Sequence, residues 1–204
     1  DARMTPEVEI CNLALSHIGE PAYVASIEPP EGSEHAELCA RFYPKARDSL
    51  LELHAWGFAT ATQRLATLAT PRPGWAYAYS QPADVIRVLE VLPPDSTDQP
   101  QDYAIEASLG GAYPVICTNQ PDAVVRYIAH SPYSHTYPPL FTLALSWHLA
   151  GMLAGPILKG DVGAAEAKRC MQMMAHFMGQ AATSDASQHQ IPTAHHVPWL
   201  KARN

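Results

Sequence analysis

The sequence predicts an α+β fold in which helices from both ends of the chain pack as a bundle around or beside a β-rich middle, with an extended C-terminal tail. Two patterns carry this. Apolar residues recur at steps of three and four through residues 6–54 and again through 139–182, the period of one helix face. Between them, over residues 56–129, prolines and glycines punctuate short runs rich in valine, isoleucine, threonine and aromatics, as strands joined by turns do. A chain of 204 residues is long enough for one domain, here 1–182, that hides roughly 70% of its unfolded surface without disulfides or a metal.

The first helix is expected over about 6–18. Thr5 is a candidate N-cap, Pro6 suits the first turn and Glu7 complements the positive helix end. Ile10, Leu13, Ala14 and Ile18 share a face, and Gly19 supplies a left-handed stop. A second helix, about 34–54, starts from Ser33 as cap. Its expected apolar face is Leu38, Phe42, Ala46, Leu50 and Leu53, and it continues through Pro44 with a kink near Cys39–Phe42.

In the middle segment, Trp75-Ala76-Tyr77-Ala78-Tyr79 alternates large with small, which places the three aromatics on one side of a strand. Further strands are expected over 85–92, 103–107, 113–118 and 124–129. Leu109-Gly110-Gly111-Ala112 is the hairpin turn between the middle two.

Helical texture returns after Pro138-Pro139, over about 139–154, with Leu140, Leu143, Ala144, Trp147, Gly151 and Ala154 on one face and Gly155-Pro156 as the stop. Asp161 is the candidate cap of a last helix, about 162–182, with Ala167, Cys170, Met171, Met174, Phe177, Met178 and Ala181 as a wide apolar stripe. Residues 183–204 then read as a polar tail that buries little by itself.

Composition excludes several function classes. With 13 basic against 20 acidic residues and a net charge of −7, there is no broad cationic surface to neutralise phosphates, so tight sequence-independent DNA binding is not expected. No apolar run approaches the roughly 18 residues of a membrane span and no secretory signal pattern is visible, so a soluble, unexported protein is expected. Cys11, Cys39, Cys117 and Cys170 form no C-x-x-C pair and are expected to be buried reduced thiols.

The ten histidines include no H-E-x-x-H pair, and the closest cluster, His189, His195 and His196, lies in the polar tail without carboxylates, so no metal site is expected. There is no G-x-S-x-G elbow and no Walker loop. Glu7 with Glu9, or Glu31, Glu34 and Glu37, are the acids that a glycoside hydrolase would need, but their places near helix starts fit dipole complementation better. No catalytic residue and no cofactor is therefore assigned.

Taken in order, several segments resemble the tail tubular protein A family, the head-to-tail adaptors of short-tailed bacterial viruses. They are Glu9-Ile10-Cys11-Asn12-Leu13-Ala14-Leu15-Ser16-His17-Ile18-Gly19, then Ser26-Ile27, Ala36, Cys39, Tyr43 and Ala46-Arg47-Asp48-Ser49-Leu50-Leu51. His54-Ala55-Trp56-Gly57-Phe58-Ala59 is similar to a segment in which the family typically has proline where Ala55 stands. Trp75 through Asp84, Arg87-Val88-Leu89 and the ending Pro198-Trp199-Leu200-Lys201-Ala202-Arg203 complete the likeness.

The resemblance implies a non-enzymatic virion component made in the host bacterial cytoplasm. It implies a ring of usually twelve copies under the capsid portal protein, carrying the tail nozzle protein and tail fibres, with DNA sliding through its lumen without tight binding. A head-to-tail ring needs two unlike patches on each subunit. In the tail, Trp199 and Leu200 with Arg203 are the expected partner-binding residues, an apolar pair in a polar segment. A tail-associated glycan or peptidoglycan hydrolase is the alternative.

Overall fold

The structure, a computed structural model, describes residues 6–21, 23–70, 72–108, 110–130 and 134–188. Its order is α1 (Pro6–His17), α2 (Glu34–Leu53), a 3-10 turn (Gly57–Ala59), β1 (Thr60–Arg64), β2 (Ala66–Thr67), β3 (Tyr77–Ser80), β4 (Val85–Leu92), β5 (Tyr103–Ala107), β6 (Pro114–Thr118), β7 (Val124–Ala129), a 3-10 turn (Ser134–Thr136), α3 (Pro139–Leu158) and α4 (Gly160–Ser187). The fold is α+β, with helices at both ends and sheets in the middle.

Local chemistry sets the first two helices. The expected cap Thr5 lies outside the described residues. At its other end α1 closes on Gly19 at φ 73°, where Gly19 N–H donates to Ser16 C=O and Glu20 N–H to Leu15 C=O, satisfying the carbonyls of the last turn. Ser33 Oγ accepts from Ala36 N–H at 3.1 Å and starts α2. That helix runs unbroken through Pro44, whose side chain side is exposed. Its buried face is Ala36, Cys39, Tyr43, Ala46, Arg47, Leu50 and Leu51. This is rotated by roughly a quarter turn from the expected stripe: Leu38 and Phe42 are half-buried, and Leu53 is 61% exposed.

α3 is apolar nearly all round, with Phe141, Ala144, Leu145, Ser146, Leu149, Ala150, Gly151, Leu153 and Ala154 buried. It does not stop at Gly155-Pro156. Pro156 forgoes only its own bond, Gly155 C=O accepts from Lys159 N–H at 3.0 Å, and Ile157 and Leu158 still pack on the core. The corner falls at Lys159 and Gly160, both at positive φ, so α4 begins at Gly160 and Asp161 stands in its first turn instead of capping it. At the other end α4 runs to Ser187, five residues into the segment expected to be tail.

Through this extension α3 becomes a 20-residue helix of mean hydropathy 1.4, long and apolar enough by composition to cross a bilayer, contrary to the expectation that no run would be. Its character follows from its place. It packs against α1, α2 and α4 and supplies the middle of the largest core cluster.

The strands form two antiparallel sheets, β1-β7-β4 and β2-β3-β6-β5. The expected strands over 85–92, 103–107 and 124–129 stand at those residues, and 113–118 begins at Pro114. The turn between β5 and β6 has Gly110 and Gly111 at φ 91° and 72°. Trp75 corrects the expected aromatic row. Tyr77 and Tyr79 stack with ring centres 6.2 Å apart and join one core cluster, but Trp75 packs with Ala78, Val115 and Cys117 in another. It precedes β3, so alternation along the strand does not govern it.

The helical core and the sheets meet at an aromatic joint. Trp56 and Phe58 lie edge-on to Phe141 at 5.0 and 4.9 Å, Tyr137 is 5.1 Å from Phe141, and Ile128 of β7 enters the same cluster.

Candidate functional site

A group of polar side chains gathers where α1 and α2 meet the end of β7 and the following 3-10 turn. Tyr43 and Arg47, one turn apart on α2, turn inward together because both lie on its buried face. Arg47 Nε donates to Asp48 at 2.8 Å and its Nη2 to His130 Nε2 at 3.1 Å, while His130 Nδ1 is 3.3 Å from Asp48. With its proton on Nδ1 the ring serves both neighbours. The Arg47 guanidinium also lies 5.8 Å from the Tyr43 ring centre. From α1, Glu7 accepts the Ser134 hydroxyl. Burial holds the Tyr43 phenol far above its ordinary range and pushes Tyr137 up to about 12.

A cavity of about 580 Å³ adjoins this group, walled by Glu7, Ser26, Glu28, Tyr43, Pro44 and Arg47. Chemically it is a mixed-charge niche. Beside it the Ser134 hydroxyl is held by the Glu7 carboxylate. The arrangement joins four chain segments and has the character of a structural junction.

A second junction binds α1, α3 and α4. His17 and Trp147 stack face to face at 3.6 Å and 4°, and Arg169 lies 5.3 Å from the Trp147 ring while donating to His17 C=O at 2.7 Å. His17 Nε2 is 2.9 Å from Ser146 Oγ. Burial, with Arg169 adding to it, lowers the His17 pKa to about 4.

A third holds the far end of α4. Asp185 is 7% exposed; both its oxygens accept from Gly57 N–H at 3.1 Å, and His54 Nε2 is 3.3 Å away. This contact keeps residues 183–187 helical and on the core. Beside it is a groove of about 290 Å³ lined by Trp56, Pro138, Leu140, Phe141, Ala181 and Gln188.

All four cysteines are free and buried. A thiol–thiol hydrogen bond with Cys39, then burial, pushes the Cys11 pKa far up, and the same hydrogen bond draws the Cys39 pKa down. Sequence spacing gave no sign that α1 and α2 bring these two together. Among the described residues no group of three or more His, Cys, Asp or Glu is placed to hold a metal ion. Glu34 and Glu37 stand in the first turn of α2, and Glu31 instead braces its loop by accepting from Ala25 N–H and Ser33 Oγ. Glu7 and Glu9 are in the first turn of α1.

The expected partner-binding residues Trp199, Leu200 and Arg203, and the histidines 189, 195 and 196, lie outside the described residues. The three junctions escaped sequence reading because each joins residues far apart in the chain. Compared with models of known protein families the sequence matches none, and no curated protein matches it either.

Proposed function

We propose that this chain is a head-to-tail adaptor of a short-tailed bacterial virus, a non-enzymatic subunit that assembles into a ring between the portal and the tail. The observation that carries the reading is the order of family-like segments over residues 9–89 and at 198–203. Of the segment 9–19, residues 9–17 lie in α1; 36–51 lie in α2 and 54–59 at the aromatic joint; the segment 75–84 contains β3, and 87–89 lie in β4. Each is a packing segment, and their sequence is what a shared scaffold would retain. A net charge of −7 suits a channel wall past which DNA must slide, because every neutralised phosphate would add affinity. In this reading the polar junctions brace a subunit under mechanical load, and Trp199 and Leu200 anchor the tail on a partner.

Negative-stain imaging of the full chain, alone and co-expressed with the portal protein of the same genome, tests it. Rings seated on one end of the portal are expected. Small particles in both samples, with no portal complex, overturn the adaptor reading.

A further inference from the structure

The groove beside Asp185 has apolar walls and lies where α4 passes into the C-terminal segment. Its volume is about 290 Å³, the scale of one large side chain. Pro138, Leu140 and Phe141 wall it from the start of α3, Trp56 from the aromatic joint and Ala181 from α4. Pro138 and Leu140 are half-buried and Pro139, also in the wall, is exposed, so apolar surface meets water here. A further apolar group that covered it would gain the free energy of burial. Gln188, the residue that closes α4, lines the groove too. Residues 189–204 therefore begin at the groove itself.

That segment supplies such a group. Trp199 is the sole Phe, Tyr or Trp among residues 189–204, and Pro198 and Leu200 flank it. The stretch 189–198 links it to Gln188 and can span up to about 35 Å, so Trp199 has the reach to double back onto a groove at its own root. Attachment to the same subunit keeps the effective concentration in the millimolar range, so even a weak contact is populated. A second copy's tail has no such advantage. Charge favours the same body. The whole chain has 13 basic and 20 acidic residues; Lys201 and Arg203 belong to 189–204, which holds no Asp or Glu, and removing those two leaves 11 basic against 20 acidic in residues 1–188. The tail is thus a cationic segment rooted on an anionic body.

We propose that Trp199 docks in this groove on its own subunit. An indole ring that is buried needs an acceptor for its N–H. Asp185 lines the groove, and its carboxylate keeps acceptor capacity beyond the Gly57 N–H and the His54 ring that it already meets. Pro198 restricts the chain just before the anchor, which lowers the entropy lost when Trp199 is fixed. The contact goes beyond the adaptor reading, because it belongs to the single subunit and exists whether or not rings form. A partner that takes Trp199 must first draw it out of the groove.

Chymotrypsin cleaves after Trp199 and Leu200, and mass spectrometry reads these two cuts apart from all others. In the full chain they are expected to be at least about tenfold slower than in a synthetic peptide of residues 189–204, at about 0.1 μM and about 10 μM alike, because docking within one subunit does not depend on concentration. Two variants remove the protection and leave the circular dichroism spectrum unchanged. Ser184→Arg, at a half-buried helix position on the groove, fills it with a long side chain and repels the cationic tail. Trp199→Ala leaves the groove intact and removes the anchor, so the Leu200 cut reaches the rate of the matching peptide. Cleavage of the wild type at the peptide's rate overturns the proposal. Protection that changes with concentration overturns it in favour of a second copy's tail. Protection that survives in either variant overturns it as well, since the tail is then held elsewhere.

Discussion

His17 shows how one side chain ties stability to pH. Its ring is held between Trp147 and Ser146 with the Arg169 cation close by, and its pKa falls from 6.5 to about 4. The unfolded chain then binds the proton more readily than the folded one, so stability rises with pH over this window. The contribution is complete above about pH 6.5 and is lost as pH falls through about 4. After discounting for partial exposure it is on the order of 1–2 kcal/mol. His148, whose pKa is lowered by burial against α2, adds in the same direction. His17→Phe keeps the stack and removes the titration. Urea unfolding at pH 7 and pH 4.5 is expected to show a smaller acid loss for the variant than for the wild type; an equal loss in both would show that the ring is not responsible.

At the scale of elements, α3 and α4 approach so closely that two glycines become unequal. A Cβ on Gly163 would stand 2.9 Å from Ala154 O and 3.3 Å from Gly155 Cα, backbone atoms that move only if the helices part. One on Gly151 would meet Met171 Cε at 2.5 Å, the free end of a flexible thioether. Gly163→Ala is expected to cost about 2 kcal/mol and lower Tm by roughly 5 °C, whereas Gly151→Ala, helped by better helix propensity, stays within about 1 kcal/mol. Calorimetry on the two decides, and equal Tm values would mean that the helices do not meet there. Neither contact was legible in the sequence, since a glycine inside a helical pattern reads only as a weakness. Legibility followed local chemistry elsewhere too. Ser33, Gly19 and the Gly110-Gly111 turn act within a few residues and were readable, as were strands with branched runs. The stripe of α2 was misplaced because Tyr43 and Arg47 are buried though amphipathic, and the face expected for α3 holds for Ala144, Gly151 and Ala154 but not for Leu140, Leu143 and Trp147, which are half-buried, because nearly every side of that helix is apolar. β1, with sequence Thr-Ala-Thr-Gln-Arg, and the two-residue β2 carry no apolar alternation at all. Gly155-Pro156 misled because packing beyond it outweighs the lost bond.

Across the whole molecule, buried residues divide into one large cluster, mostly helical, and two smaller ones in the sheets, joined chiefly through Trp56, Phe58, Ile128 and Tyr137. The cysteines report on this division. Cys11, Cys39 and Cys170 lie in the helical cluster, whereas Cys117 sits with Ala78 and Val115 in the smallest, supported by Leu68 and Trp75. A unit with less buried apolar surface opens at lower free energy. All four thiols are closed to solvent in the folded state, so each reacts with an aromatic disulfide reagent only after its surroundings open. In low denaturant Cys117 is expected to react first, by at least about tenfold, a difference of about 1.4 kcal/mol in opening. The other three should follow together, with a denaturant dependence that matches global unfolding. Mass spectrometry of the labelled peptides reads each site separately. Four thiols reacting at one rate would mean that the aromatic joint couples sheets and helices into a single cooperative unit.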